Sequence, residues 1–169
     1  VDREPRYIDF ARRKAASEGL TNVRFEVGDL TSLPFADGEF DLVWSKHVLQ
    51  WVAARSQALA EMVRVTRPGG RIVCANFDGF CLEHFPQDAQ VQADTERWMS
   101  AAGAAFGFDP LLGRKLPALL KDAGLVNVRW DFMPDRAFCG FGGDPERRWN
   151  WEVQFRSAHP FTAQVFGGD

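Results

Sequence analysis

The sequence predicts an α/β fold built on a parallel sheet, and three observations lead there. Helical and strand periodicities alternate through the first half of the chain, the pattern of βαβ units. The run Arg71 to Phe77 is mostly apolar, as a central parallel strand is when both its faces are covered. Glycine or proline marks most of the changes between one periodicity and the next.

Val1-Asp2 has the form of a strand end just before a helix opened by Pro5, whose missing N–H does no harm in a first turn. From Tyr7 to Ser17 the apolar residues Ile8, Ala11 and Ala15 recur at helical spacing, and Gly19 is the expected left-handed stop. Val23 to Val27 alternates with period 2 and predicts a strand ending at Gly28-Asp29. Ala36 to Glu39 is a turn, and Phe40 to Trp44 predicts a more buried strand. A helix is expected from about Ala54 to Val65, broken by Arg67-Pro68-Gly69-Gly70 before the strand Arg71 to Phe77.

The second half is less regular. Asp78 to Pro86 predicts a loop, Gln87 to about Ala105 a polar, alanine-rich helix, and Gly113 to Ala123 a short amphipathic helix stopped by Gly124. Leu125 to Phe132 predicts a strand. Asp144-Pro145-Glu146 has the residues of a helix start, for a helix reaching about Ser157.

Composition narrows the function classes. The 169 residues suit one domain, and a net charge of -3 leaves no broad basic field for a nucleic-acid backbone. No apolar run approaches the roughly 18 residues of a membrane span. Cys74, Cys81 and Cys139 are odd in number and form no CxxC pair, so neither a disulfide framework nor a cysteine-rich zinc site is expected. A reducing, cytoplasmic setting fits that pattern.

A parallel α/β sheet binds ligands at the carboxyl ends of its strands. Three such ends carry polar residues: Val1-Asp2, Gly28-Asp29-Leu30 and Trp44-Ser45-Lys46-His47. An acid at the first can accept both hydroxyls of a ribose. An acid at the second can accept an adenine amino group, while the next backbone N–H donates to the ring. Asp2 and Asp29 are equally suited to helix caps or turns, and periodicity alone favours that plainer role.

Other groupings weigh less. Cys81, Glu83 and His84 with Asp78 offer metal-ligand atoms without the spacing of a tetrahedral site. His47, His84 and Cys139 lack any nucleophile-elbow motif. Arg147-Arg148 beside Trp149 and Trp151 suggests base stacking, but a partly buried lid helix explains it more simply.

Taken in order, Val1-Asp2-Arg3-Glu4-Pro5, Gly28-Asp29-Leu30 with Leu33-Pro34-Phe35, Phe40 to Val43 and Arg67 to Arg71 resemble the class I S-adenosylmethionine-dependent methyltransferases. The likeness is to the small-molecule branch related to ubiquinone/menaquinone-biosynthesis methyltransferases. Gly113 to Pro117 with Ala123-Gly124-Leu125 resembles the helix and strand after that branch's lid insertion, so the likeness covers about residues 1–134. It implies a Rossmann-like sheet with helices on both faces, divided into a cofactor-binding half (1–78), a helical lid insertion (79–113), a helix and strand (114–134) and a C-terminal covering segment (135–169).

The resemblance also implies S-adenosylmethionine as cofactor, with Asp2 on the ribose hydroxyls and Arg3 along the adenine. Asp29 matches the acid on the adenine amino group, and Leu30 the residue whose backbone faces the ring. Ser45 ends the strand whose following loop touches the methionine part, with His47 and Trp51 nearby. The family's glycine-rich loop belongs before Val1. Gly140 to Gly143 lies downstream and is read as a turn. The chain is therefore expected to be a fragment whose first strand, and also its last, are missing.

A sulfonium already makes its methyl carbon electrophilic, so the expected task is alignment and water exclusion. A base is needed only if the acceptor must lose a proton. His47, His84 and His159 qualify by chemical type alone, so no catalytic residue is named. Two rivals stand beside this: a non-catalytic fragment serving as an interaction module, and a nicotinamide-dependent oxidoreductase. The second lacks the tyrosine–lysine pair of the short-chain class, the only tyrosine being Tyr7. Of the six Trp and 15 Phe, many lie in the covering segments, among them Phe80, Phe85, Trp98, Phe106 and Phe108, with Phe77 at the carboxyl end of the strand before them. They suggest a lid with an apolar inner face over a lipophilic or aromatic small-molecule acceptor. The oligomeric state is left open.

Overall fold

A computed structural model describes residues 1–79, 88–131 and 160–167. Helix α1 (Pro5–Ser17) begins on its proline, turns Ile8 and Ala15 inward, and ends before Gly19, which adopts φ 69° as expected. Asp2 fixes its entry, the Oδ1 atom accepting the Glu4 N–H at 2.8 Å. The Arg12 guanidinium donates to the Phe25 carbonyl at 2.8 Å and ties α1 to the segment expected as the first internal strand.

That strand is reduced to a single parallel bridge between Asp2 and Val27. Asp2 N–H donates to Glu26 at 3.2 Å and Gly28 N–H to Asp2 at 3.0 Å. A ladder extends only where a neighbour offers backbone groups, and here Val1 and Asp2 are the neighbour.

The sheet of the described residues is β1 (Phe40–Lys46) parallel to β2 (Thr66–Ala75), with Val43 opposite Ile72 and Ser45 opposite Cys74. Helix α2 (Arg55–Val65) makes the crossover and buries Ala58, Leu59, Met62 and Val65, an apolar stripe at helical spacing. Leu49, Ala58, Leu59, Met62, Leu112 and Leu116 form the core, against which Val43, Ile72 and Cys74 pack from the sheet. The Pro68-Gly69-Gly70 breaker does not delay the strand as expected. It sits inside β2 as an irregularity of register, Phe40 pairing with Thr66 and Leu42 with Arg71. Glycine is required at position 70, where a Cβ would lie 2.6 Å from Thr66 Cγ2 and 3.0 Å from the Asp41 carbonyl.

Helix α3 (Ala89–Phe106) starts on Asp88, whose side chain accepts from the N–H groups of Gln90 and Val91. Its C-terminal end is held against the 3₁₀ turn Leu49–Trp51. Arg55 donates to the carbonyls of both Leu49 and Gly107, and Asp109 N–H donates to Gln50 at 2.9 Å. The expected helix after Gly113 is a 3₁₀ turn, Gly113–Lys115, followed by α4 (Leu116–Asp122), with Gly124 at φ 85° beyond it. No strand forms over residues 125–131, where Val126 is 82% exposed. Residues 160–166 form a helix that the sequence reading did not foresee. It meets α3 through Trp98 Nε1–H to Thr162 Oγ1 at 3.2 Å and Arg97 to the Val165 carbonyl at 2.6 Å. The expected helix over 144–157, the glycine-rich turn at 140–143 and Phe132 lie outside the described residues.

One charged cluster joins α2 to the loop after Asp29. Arg64 donates through Nε and Nη2 to the two oxygens of Glu61, at 2.7 and 2.8 Å, and Leu33 N–H adds a third bond at 2.8 Å. The Arg64 side chain first, then the Leu33 N–H, lowers the Glu61 pKa from 4.5 to about 2. A carboxyl group depressed on folding stabilises the native state fully above its unfolded pKa and loses that contribution as pH falls toward the native one. Denaturation curves of the wild type should therefore weaken between pH 4.5 and 2, the interval set by the two Glu61 values. Glu61→Gln should have a shallower acid limb. Parallel limbs would show that Glu61 carries no such linkage.

Candidate functional site

A cleft of about 1210 Å³ is lined by residues of β1 and by the strand-end residues around Asp2 and Asp29. Asp2, Arg3, Asp29, Leu30 and Ser45, the five candidates, all border it. The Asp2–Val27 bridge explains why the two acids are neighbours, since Asp29 follows Val27 by two residues. Gly28 lets the chain make this turn: a Cβ there would meet Val1 Cγ1 at 3.0 Å and Pro34 Cδ at 3.2 Å.

Both acids do perform the turn role considered above, each through Oδ1. Asp2 caps Glu4 N–H, and Asp29 accepts Thr31 N–H at 2.7 Å and Thr31 Oγ1–H at 2.6 Å. The Thr31 side chain, then its backbone N–H and more weakly the Arg3 charge, hold the Asp29 carboxyl below its ordinary 3.8. It is ionised throughout the neutral range and exposed to the cleft. Arg3 is also exposed, whereas Leu30 packs its side chain against the core.

At the carboxyl ends of β1 and β2 the site is polar and under-partnered. Ser45 is 6% exposed, and its Oγ has no hydrogen-bond partner among the described residues. His47 Nδ1 and both side-chain amide atoms of Asn76 share that condition. His47 sits at φ 57°, a left-handed conformation that non-glycine residues adopt at a cost and that clusters at functional sites. Its ring stacks on Phe77 with centroids 4.1 Å apart, and its N–H donates to Ala75 at 2.8 Å. Burial, helped by Lys46, lowers its pKa below 6.5, so it is neutral at pH 7. Chemical type had singled out His47 in the sequence; its strained backbone and orphaned nitrogen left no sequence signal.

Aromatic rings also border the cleft. Trp51 borders the cleft, stacks on Phe108 at 4.1 Å and meets the edge of Trp98 at 6.3 Å. Phe106, also on the cleft, packs on Phe161 at 4.9 Å. Asp78 is engaged by Arg114, which donates to Oδ1 through Nε at 2.8 Å. Among the described residues no group of three or more His, Cys, Asp and Glu is placed to hold a metal, and no helix is long and apolar enough to cross a membrane. Burial pushes the Cys74 thiol up to about 11. Cys81, His84, Cys139, Arg147-Arg148 and His159 lie outside the described residues.

Residues 1–74, which include all five candidates, match the family described as a methyltransferase domain. The chain is 37% identical over 120 residues to the demethylmenaquinone methyltransferase of Beutenbergia cavernae, covering 63% of this chain and 49% of that protein. Over these residues the chain is similar to the S-adenosylmethionine-dependent methyltransferases that the sequence resembles. It is also 37% identical over 126 residues to an uncharacterized 37.1 kDa protein in transposon TN4556 of Streptomyces fradiae, across 75% of this chain and 35% of that one. The matches thus span half or less of these relatives' length. A methyltransferase structure from Aquifex aeolicus shares the fold, with a TM-score of 0.53 at 16% identity over 73% of this chain and 55% of that one. The methyltransferase family carries S-adenosylmethionine as its cofactor, and nothing in these likenesses favours the nicotinamide-dependent alternative.

Proposed function

We propose that the protein transfers the methyl group of S-adenosylmethionine to a lipophilic small-molecule acceptor. The observation that carries this is one cleft bordered both by two exposed carboxylates, Asp2 and Asp29, and by aromatic side chains that include Trp51 and Phe106. Its volume of about 1210 Å³ exceeds the range of roughly 300–1,000 Å³ usual for small-molecule sites, leaving room for cofactor and acceptor together. In this reading Asp2 accepts the ribose hydroxyls, Arg3 lies along the adenine, Asp29 accepts the adenine amino group and the Leu30 backbone faces the ring. Ser45, whose orphaned Oγ has a hydrogen bond to give, serves the methionine end.

The bound cofactor supplies a methyl carbon already activated by its sulfonium. The protein's residues hold the two reactants in line and keep water away. Trp51 and Phe106 offer the acceptor an apolar surface, with α3 and the helix over 160–166 as the covering layer. A lipophilic acceptor fits that surface, and the names of relatives such as demethylmenaquinone and tocopherol methyltransferases lend support. A small molecule also suits the net charge of -3 better than a nucleic acid does, and the odd cysteine count suits the cytoplasm.

The test is calorimetric titration of the native-length protein with S-adenosylmethionine, followed by a methyl-transfer screen. Quinone- and polyketide-like compounds should be methylated, and RNA and histone-like peptides should not. Absence of cofactor binding would refute the assignment. Turnover of RNA or peptides alone would refute the small-molecule acceptor, and turnover of highly polar compounds alone would refute its lipophilic character.

A further inference from the structure

We propose that Arg64, which lies on α2 outside the cleft, is a positioning residue for the cofactor's adenine end, acting through the loop that sets the Asp29 carboxylate. This rests on the reading above in which Asp29 accepts the adenine amino group. Residues 57, 61 and 64 of α2 stand on one helical face, at spacings of four and three. Each reaches the same stretch of backbone. Gln57 Nε2 donates to the Thr31 carbonyl at 3.0 Å. Glu61 accepts the Leu33 N–H at 2.8 Å. Arg64 donates to the Leu33 carbonyl at 3.0 Å and the Phe35 carbonyl at 2.8 Å, and to Asp37 at 2.7 Å.

The grip therefore falls on residues 31, 33 and 35 in succession. Thr31, the first of them, gives both its N–H and its hydroxyl to Asp29 Oδ1. From the guanidinium the path runs by hydrogen bond to Leu33, along two residues of loop backbone to Thr31, and by hydrogen bond again to the carboxylate that borders the cleft. Apart from these contacts the loop's backbone is held by Ser32 N–H to Asp29 at 3.0 Å, Ala36 N–H to Glu39 at 2.9 Å, and Gly38 N–H to the Arg64 carbonyl at 2.8 Å, a backbone bond that substitution of the Arg64 side chain leaves in place. The planar, five-donor guanidinium spans two carbonyls and two carboxylates at once, which an ammonium does not do. Lysine at this position would keep the charge and lose the grip.

A double-mutant cycle on the native-length protein tests this, with S-adenosylhomocysteine and adenosine as calorimetric probes and thermal melts to confirm folding. Arg64→Lys should weaken binding of both probes by the same factor, about tenfold. In an Asp29→Ala background the same substitution should cost less than about twofold, since the group it positions is gone. Gln57→Ala, an exposed and milder change, should repeat the pattern at about threefold and serves if Arg64→Lys does not fold. A purely structural Arg64 would lower the melting temperature yet leave the affinity of the folded protein unchanged, and that result overturns the proposal. So does a loss as large in the Asp29→Ala background as in the wild type. Failure of the wild type to bind either probe removes the methyltransferase reading and this one with it, whereas additive losses in a binding-competent protein remove this one alone.

Discussion

Leu112→Ala is expected to destabilise the protein by about 2–5 kcal/mol, the range for large-to-small changes at sites that cannot collapse. Leu112 is 0% exposed and belongs to the core with Leu49, Leu59, Met62 and Leu116. It lies between α3 and α4, so its side chain fixes the second half of the chain onto α2. The neighbouring backbone is constrained as well. Gly113 N–H donates to Phe77 at 2.9 Å, and a Cβ at Gly113 would lie 2.7 Å from Asp78 Cβ, leaving little room to close a cavity by shifting. Leu112→Met keeps most of the volume and should cost less than about 1.5 kcal/mol. Val126→Ala, at a position 82% exposed, should stay within about 0.5 kcal/mol. Urea denaturation measures all three. A Leu112→Ala loss no greater than that of Val126→Ala would mean that the segment before α4 is not docked on the core.

The elements read correctly from sequence are those whose causes are local. Helix α1 shows Pro5 at its start and Gly19 past its end, and α2 shows its buried stripe directly. Strand pairing is a different kind of fact, because it depends on what lies alongside. Val23 to Val27 and Leu125 to Phe132 have strand-like composition, yet the first forms one bridge and the described residues of the second, 125–131, form none. The reverse error concerns Pro68-Gly69-Gly70. A turn-forming run was absorbed into β2 because pairing on either side of it holds the strand together.

The site divides in the same way. Asp2, Asp29 and Ser45 were legible because a parallel sheet sends its polar strand-end residues to one edge, so three distant positions converge on one cleft. Arg64 was not. Its partners Leu33, Phe35 and Asp37 are 27 to 31 residues away along the chain, and nothing in their types announces the contact. The only local trace is the spacing of Gln57, Glu61 and Arg64 on one helical face.

The prediction that bears most directly on the methyltransferase reading concerns the two acids. In the native-length protein, Asp2→Ala and Asp29→Ala should each weaken S-adenosylmethionine binding by about 1.5–3 kcal/mol, the loss of hydrogen bonds to a charged acceptor. That is roughly 12- to 150-fold in Kd. The two substitutions differ in their side effects. Asp2 also accepts the Glu4 N–H that opens α1, so its removal should lower the melting temperature through the helix entry. Asp29 also binds Thr31 twice, so its removal frees the loop that α2 grips. Asn at either position retains an acceptor oxygen and loses the charge, and should fall between wild type and alanine. Because the Thr31 bonds hold the Asp29 carboxyl below 3.8, its contribution to binding should stay constant from pH 6 to 8 and weaken only toward its own pKa as acid protonates it. Calorimetry with the folded variants decides the matter: affinities equal to the wild type in both alanine variants would detach these carboxylates from the cofactor and leave them as the turn residues that their Oδ1 bonds already make them.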